Sequence, residues 1–284
     1  MPSRSTSGTH PADQIIDRVQ GEFARELKAA YSGALAAGAI LTHHWNERGF
    51  TVNEKSKGNP VTTADFEADH KLKQILHGGF PDYGWLSEET VDNGDRLACD
   101  RAWIVDPLDG TKEFIQGVPE FVVAIALADG GIPVLGVTYN PINRELFWGG
   151  RGLGCHLDGA SVRVTATARL ADATVLASRS ETARGEWKPY EGLLQVRPIG
   201  SVAYKLALVA AGRADATFTL KPKNEWDVAA GAALLAAAGG RITDIGGHDL
   251  RFNQQSVKLK GLVASNGLLH DALEQLIRRT SHHK

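Results

Sequence analysis

Between Ala102 and Gly150 the chain alternates apolar runs with turn residues, and the first run ends in a carboxylate. "AWIVD" (102–106) ends in Asp106. "FVVAIALA", "PVLGVTYN" and "ELFWGG" follow, separated by the turn segments "DGGI" and "PINR". Short apolar runs bounded by such turns are strands, and turns this short join antiparallel neighbours. The stretch therefore predicts a meander. "YGWLS", running into Glu88, predicts one more strand just before it.

Helices flank this block. Residues 12–48 carry Ile15, Ile16, Val19, Phe23 and Leu27 at helical spacing, which predicts a long helical region weakened at Gly33 and Gly38. "NEKSKGNPV" (53–61) reads as a polar, turn-rich loop with Gly58 and Pro60 as breakers. Thr62 or Thr63 then caps a helix through about Leu76, with Asp65 and Glu67 in its first turn, where the helix dipole favours acids. Beyond residue 160 the order is strand "VRVT", a short helix near 169, strands "TVLASR" and "LQVRPIG", a helix over 201–212 and strand "ADATFTL". An Ala-rich helix over 227–238, strands "RITD" and "GLVAS" and a final helix over 267–279 complete it. Grouped strands with helices packed outside them predict a layered α+β or α/β architecture.

Composition narrows the class. The 284 residues are 43% hydrophobic and 23% charged, as in a globular protein of one large domain or two joined halves. No apolar run approaches the roughly 20 residues of a membrane helix, so no membrane partner is expected. "MPSRSTSGTHPADQ" lacks the apolar core of a signal peptide, and residues 1–11 read as a disordered lead-in. Cys99 and Cys155 are the only cysteines, which excludes a disulfide framework and a Cys-based zinc site and points to a reducing cytoplasm. A net charge of −2 gives no pull toward nucleic acid. Residues 1–150 hold 13 Lys and Arg against 21 Asp and Glu, while residues 151–284 hold 18 against 12. That asymmetry suits a cation site in the first half and an anion-binding wall in the second.

The acids at strand ends carry the chemistry. Glu88 ends one strand, Asp106 ends another, Asp109 lies one turn later, and Asp227 follows Trp226 at a helix start. Carboxylates gathered in this way repel one another unless something pairs them. Hard divalent cations with oxygen ligands do so, and one acid can bridge two of them. Many phosphatases use a D-x-D-G-T loop whose first Asp attacks phosphorus. Here "DPLDGT" (106–111) spaces the acids one residue further apart.

"LSEE" (86–89), "WIVDPLDGTKEF" (103–114), "EWDVAAGAALLAAAGG" (225–240) and "NPVTTAD" (59–65) resemble the inositol monophosphatase superfamily of Mg²⁺-dependent, lithium-sensitive phosphatases. The motifs are long, in the right order and spread over most of the chain. The resemblance implies a five-layer α-β-α-β-α sandwich, with residues 12–284 as one phosphatase domain: a metal-binding half over about 12–150 and a substrate-binding half over about 151–284. It implies two or three Mg²⁺ held by Glu88, Asp106, the Leu108 carbonyl, Asp109 and Asp227, with Mn²⁺ as a substitute and Li⁺ as an inhibitor. It implies that neither Asp attacks phosphorus. Instead Thr111 and Asp65 orient and deprotonate a metal-bound water, Glu88 assists, and the Gly110 and Thr111 N–H groups face the phosphate. Lys57 stands where the family has a lysine before "NPVT". Dimers are common among such proteins, so a homodimer is an open expectation.

Within the superfamily "DPLDGTKEF" resembles the 3′(2′),5′-bisphosphate nucleotidase branch of CysQ type, with Lys112, Glu113 and Phe114 as the discriminating residues. "ASRS" (177–180) and "GSVAYK" (200–205) resemble that branch's nucleotide-site segments. They nominate Ser178, Arg179, Ser201 and Lys205, beside Asp227, for substrate binding, with Arg213 a weaker candidate. The implied reaction is removal of the 3′-phosphate of adenosine 3′,5′-bisphosphate, or of its phosphosulfate precursor in sulfur assimilation. Inositol-1-phosphate or fructose-1,6-bisphosphate hydrolysis by the same machinery is the alternative, and a non-catalytic phosphate-ligand sensor the reading from another class. His43, His44 and the terminal "SHHK" read as exposed or capping residues rather than metal ligands.

Overall fold

The computed structural model describes residues 10–56 and 58–281. Helices α1 (Asp13–Ile16) and α2 (Ala24–Glu47) lead to strands β1 (Val52–Ser56) and β2 (Asn59–Thr62) and to helix α3 (Thr63–Gly79). Next come β3 (Gly84–Ser87), β4 (Arg101–Asp109), the short α4 (Thr111–Gln116), β5 (Val122–Asp129), β6 (Ile132–Asn140), β7 (Glu145–Gly150), β8 (Gly154–Leu157) and β9 (Ala160–Val162). The second half holds β10 (Thr174–Ser178), α5 (Arg179–Ala183), β11 (Gln195–Ile199), α6 (Val202–Ala210), β12 (Ala216–Thr219) and β13 (Lys223–Asn224). It ends with α7 (Glu225–Ala237), β14 (Arg241–Thr243), β15 (Lys258–Leu259), β16 (Leu262–Ser265) and α8 (His270–Ser281).

Strands β3 to β9 form one seven-stranded sheet in chain order, with β3 and β4 parallel and the rest antiparallel. A five-stranded sheet has the order β11-β10-β12-β16-β14. Side chains alternate across the larger sheet with the period of two that a strand imposes. Trp103 and Val105 of β4, with Val123, Ile125 and Leu127 of β5, pack with Leu27 and Leu41 of α2 and Leu72 of α3. Ile104, Val122, Ala124 and Ala126 face the other way, toward Leu206 of α6 and Val228 of α7. The same core takes in Leu176, Leu262 and Ala264 of the smaller sheet. That sheet's far face carries Val175, Ala177, Phe218 and Val263 under Leu273 and Ile277 of α8. The result is the expected five-layer α-β-α-β-α sandwich. Helix α7 is buried nearly all round because both sheets cover it, which is why its sequence is Ala-rich and apolar on every face.

Several local expectations change. The helical region over 12–48 breaks between Ile16 and Ala24, where Gly21 adopts φ +118°. Helix α2 then runs unbroken through Gly33 and Gly38. The turn-rich stretch 53–61 is a hairpin, β1 paired antiparallel with β2, and Pro60 sits inside β2 beside a register shift. Edge strands tolerate proline in this way. Of the expected strand "VRVT" (162–165) only Val162 is in a strand, as the last residue of β9, and the helix near 169 is a 3₁₀ turn over Leu170–Asp172. His44 is buried and meets Glu67 at 3.0 Å, while His43 is exposed. His10, within the expected lead-in, is buried as well. Residues 1–9 of the lead-in, Lys57 and the last three residues of "SHHK" lie outside the described residues. Among the described residues no helix is long and apolar enough to cross a membrane.

Candidate active site

Three chain segments bring carboxylates together. β3 pairs in parallel with β4, Ser87 beside Val105, and the Glu88 N–H extends the ladder to the Val105 carbonyl at 3.2 Å. Glu88 and Asp106 thus leave neighbouring strands side by side. Asp227 enters from the first turn of α7, where its Oδ2 accepts the Asn224 N–H at 2.9 Å in a capping box. One oxygen each from Glu88, Asp106 and Asp227 lies within 4.8 Å of the others.

The D-x-x-D spacing has a structural reason. In a regular strand residues three apart point to opposite faces. Asp106 pairs with Ala124 and Asp109 with Val122, so β4 spends one more residue than β5 over this stretch. That bulge turns Asp109 back to the face of Asp106 and sends Leu108 into the opposite core. Pro107 falls inside the bulge, where its missing N–H breaks no ladder bond. Gly110, at φ +105°, makes the turn into α4. Asp109 does not join the three-oxygen cluster. Its Oδ2 accepts Ser201 Oγ and the Ala203 N–H, both at 2.6 Å, from the start of α6. Ser201 holds φ +59° to make that contact, a strained backbone state for a residue with a Cβ.

Next to the acids, Thr111 Oγ1 lies 3.1 Å from Asp65 Oδ1 and 3.2 Å from the Leu108 carbonyl oxygen. Asp65 Oδ2 is fixed by the Thr62 N–H at 2.8 Å and the Thr62 hydroxyl at 2.7 Å, the capping box of α3. A cavity of about 270 Å³ joins the parts, lined among others by Glu88, Asp106, Leu108, Asp109, Gly110, Thr111 and Asp227. Of the nominated substrate residues, Ser178, Ser201 and Lys205 line it too. Arg179 is not among its lining residues. Its guanidinium grips Glu120 at 2.6 and 2.7 Å, and the same Glu120 accepts the Gly200 N–H at 2.7 Å. Arg213 pairs with Glu145 outside this cavity.

Sequence reasoning missed four residues. Lys55 of the hairpin reaches Glu88 Oε1 at 2.9 Å and Glu89 Oε1 at 2.5 Å. Glu89 is thereby held beside the cluster. Lys223 lines the cavity and is steadied by buried Glu181 at 3.4 Å. Glu113, noted only as a branch marker, lines the cavity as well. The signal for Lys55 and Lys223 lay in their nearness to motifs, Lys55 before "NPVTTAD" and Lys223 before "EWD", but no spacing rule aims a lysine.

The electrostatics call for cations. Burial, and then the charges of Glu88, Asp109 and Asp227, push Asp106 well above the usual carboxylate range. Burial and the charges of Asp109 and Glu88 push Asp227 up to about 7. Burial also raises Asp65, against the hydrogen bonds from Thr62 and Thr111. Lys205 moves the other way: burial lowers it to about 8, although Asp109 opposes the shift. A crowded set of carboxylate oxygens with no nitrogen or sulfur donor fits a hard divalent cation.

Residues 24–283 match the Inositol monophosphatase family over most of the chain. This chain belongs to the inositol monophosphatase family. An "Inositol-1-monophosphatase" of Caulobacter vibrioides is 38% identical over 240 residues, 80% of this chain and 90% of that one. The crystal structure of the suppressor protein SuhB from Bartonella henselae superposes with a TM-score of 0.78 at 33% identity, covering 89% of this chain and 98% of that one. CysQ from Bacteroides thetaiotaomicron, described as a bacterial member of the family, gives 0.70 at 29% identity, with 84% and 96% covered. As a member of the inositol monophosphatase family, the chain is a phosphatase. Its acidic cluster is a group of side chains able to hold a metal ion.

Proposed function

We propose that this phosphatase is a Mg²⁺-dependent phosphomonoesterase whose preferred substrate carries a second anionic group, with adenosine 3′,5′-bisphosphate as the leading candidate. One observation carries the reading: the cavity that holds the carboxylate cluster and Thr111 is also lined by Lys112, Lys205 and Lys223. Glu88, Asp106 and Asp227, with Asp109 and the Leu108 carbonyl, would hold the cations. When bound, Mg²⁺ supplies charge neutralisation for the phosphate and acidifies water. The chain's own part is proton handling. Thr111, donating to Asp65, keeps oxygen lone pairs free to orient the attacking water. Asp65, its other oxygen already fixed by Thr62, takes the proton, and burial makes it a better base.

Lys205 would hold the phosphate that stays. Its Nζ donates to the Ser201 carbonyl at 2.5 Å, which fixes the ammonium at the start of α6. Losing one charge-assisted contact costs roughly 1.5–3 kcal/mol, about 10- to 150-fold. Lys205→Ala should therefore cut kcat/KM for adenosine 3′,5′-bisphosphate by that factor and leave 3′-AMP hydrolysis nearly unchanged. For the wild type, the advantage of the bisphosphate should fade as pH rises through about 8, because the neutral amine no longer attracts the second anion. Equal losses on both substrates would assign Lys205 to the scissile phosphate or to the fold. The motif "DPLDGTKEF" and the likeness to CysQ support the nucleotide. The likeness to the Caulobacter inositol-1-monophosphatase favours inositol-1-phosphate as the second reading. A substrate panel ranked by kcat/KM separates the two.

A further inference from the structure

The cavity contains one acid that the mechanism leaves unused. Glu113, in the first turn of α4, is 7% exposed and lines the same space as Thr111, Ser201 and Lys205. Among the described residues no side chain donates to its carboxyl, and its backbone N–H is the hydrogen-bond partner it has. The fold makes room for it. A Cβ built on Gly200 would stand 2.4 Å from Glu113 Cγ and 2.9 Å from its Oε1, so the carboxyl occupies the place a side chain at position 200 would take. Gly200 is in turn pinned by Glu120. The acid is thus lodged between α4 and the turn before α6, with cavity on its free side.

A buried carboxyl short of partners is costly unless a ligand completes its hydrogen bonds. A phosphate oxygen cannot do that for a carboxylate, since like charges repel. An uncharged hydroxyl can, as donor to the carboxylate or as acceptor from the acid. We propose that Glu113 is a specificity-determining residue that hydrogen-bonds a hydroxyl on the alcohol portion of the substrate, selecting polyol and sugar phosphates over simple alkyl phosphates. The proposal rests on the phosphomonoesterase reading but not on which polyol is the natural substrate.

Glycerol 2-phosphate and isopropyl phosphate make the test, because they share a secondary ester and differ only in two hydroxyls. The wild type should prefer glycerol 2-phosphate in kcat/KM by about tenfold or more. Glu113→Leu should bring the ratio toward one, and Glu113→Gln, which still hydrogen-bonds, should keep much of it. Gly200→Ala reads the same contact without deleting the acid: its methyl displaces the carboxyl, and the ratio should fall as in Glu113→Leu. A ratio unchanged in Gly200→Ala, or in folded Glu113→Leu with both rates lowered equally, overturns the proposal. Hydrolysis of neither ester nor of any phosphomonoester would instead defeat the reading on which it rests.

Discussion

Asp106→Asn should lower kcat/KM at least about a thousandfold, on the order of the loss from removing a central electrostatic group, while making the metal-free protein more stable. Asp106 is 1% exposed, and Glu88, Asp109 and Asp227 surround it. Asn keeps the acceptor for the Leu108 N–H, now 3.0 Å from Asp106 Oδ1, so local geometry should survive. What goes is a buried charge among like charges. Relief of that repulsion should stabilise the metal-free chain by about 1–3 kcal/mol in urea unfolding. The pH dependence has a definite sign. Asp106 and Asp227 have folded-state values raised above their unfolded ones, near 4. Their stabilising contribution is complete below about pH 4 and is lost as pH rises through the folded values, about 7 for Asp227. Metal-free wild type should therefore weaken from pH 4 to neutrality. Millimolar Mg²⁺ should reverse the trend by binding the folded state alone, and Asp106→Asn should flatten it. A variant that keeps near-normal activity at ordinary Mg²⁺ would remove Asp106 from the metal site.

Thr111→Ala should lower kcat by roughly 10²–10⁴-fold, the range of a proton-transfer contribution, with little change in KM. The hydroxyl contacts Asp65 and the Leu108 carbonyl, and no other side-chain donor among the described residues hydrogen-bonds Asp65 except Thr62. Thr111→Ser should retain most of the activity, because the hydroxyl is the working part. In single-turnover hydrolysis in ¹⁸O-water the label should appear in the released phosphate, with no acid-stable phosphoenzyme. A large rise in KM with kcat intact would make Thr111 a ground-state binding group. A trapped aspartyl phosphate would replace the water mechanism altogether.

The layers and the acids were legible in the sequence because both rest on local pattern. The meander reads from uninterrupted apolar runs, and the helix after Thr62 reads from its cap and its acid three residues on. The D-x-x-D spacing showed that the loop differs from D-x-D-G-T, but not how. The bulge opposite Ala124 and Val122 exists only in the pairing with β5. The hairpin over 52–62 was hidden because β1 is exposed along its whole length, leaving no alternation to detect. Long-range ion pairs were invisible for the same reason. Arg179 carried a substrate motif, yet its partner Glu120 lies 59 residues away, and only the fold shows that this charge is spent on holding Gly200. Lys223 lacked a motif and stands in the cavity because Glu181 steadies it there.

Phosphate release from adenosine 3′,5′-bisphosphate and inositol-1-phosphate, assayed with Mg²⁺ and with EDTA, tests the carboxylate cluster as the seat of activity most directly. Release should require Mg²⁺, stop in EDTA and return when Mg²⁺ is added in excess. Equal release in EDTA would contradict a metal-dependent site at Glu88, Asp106 and Asp227.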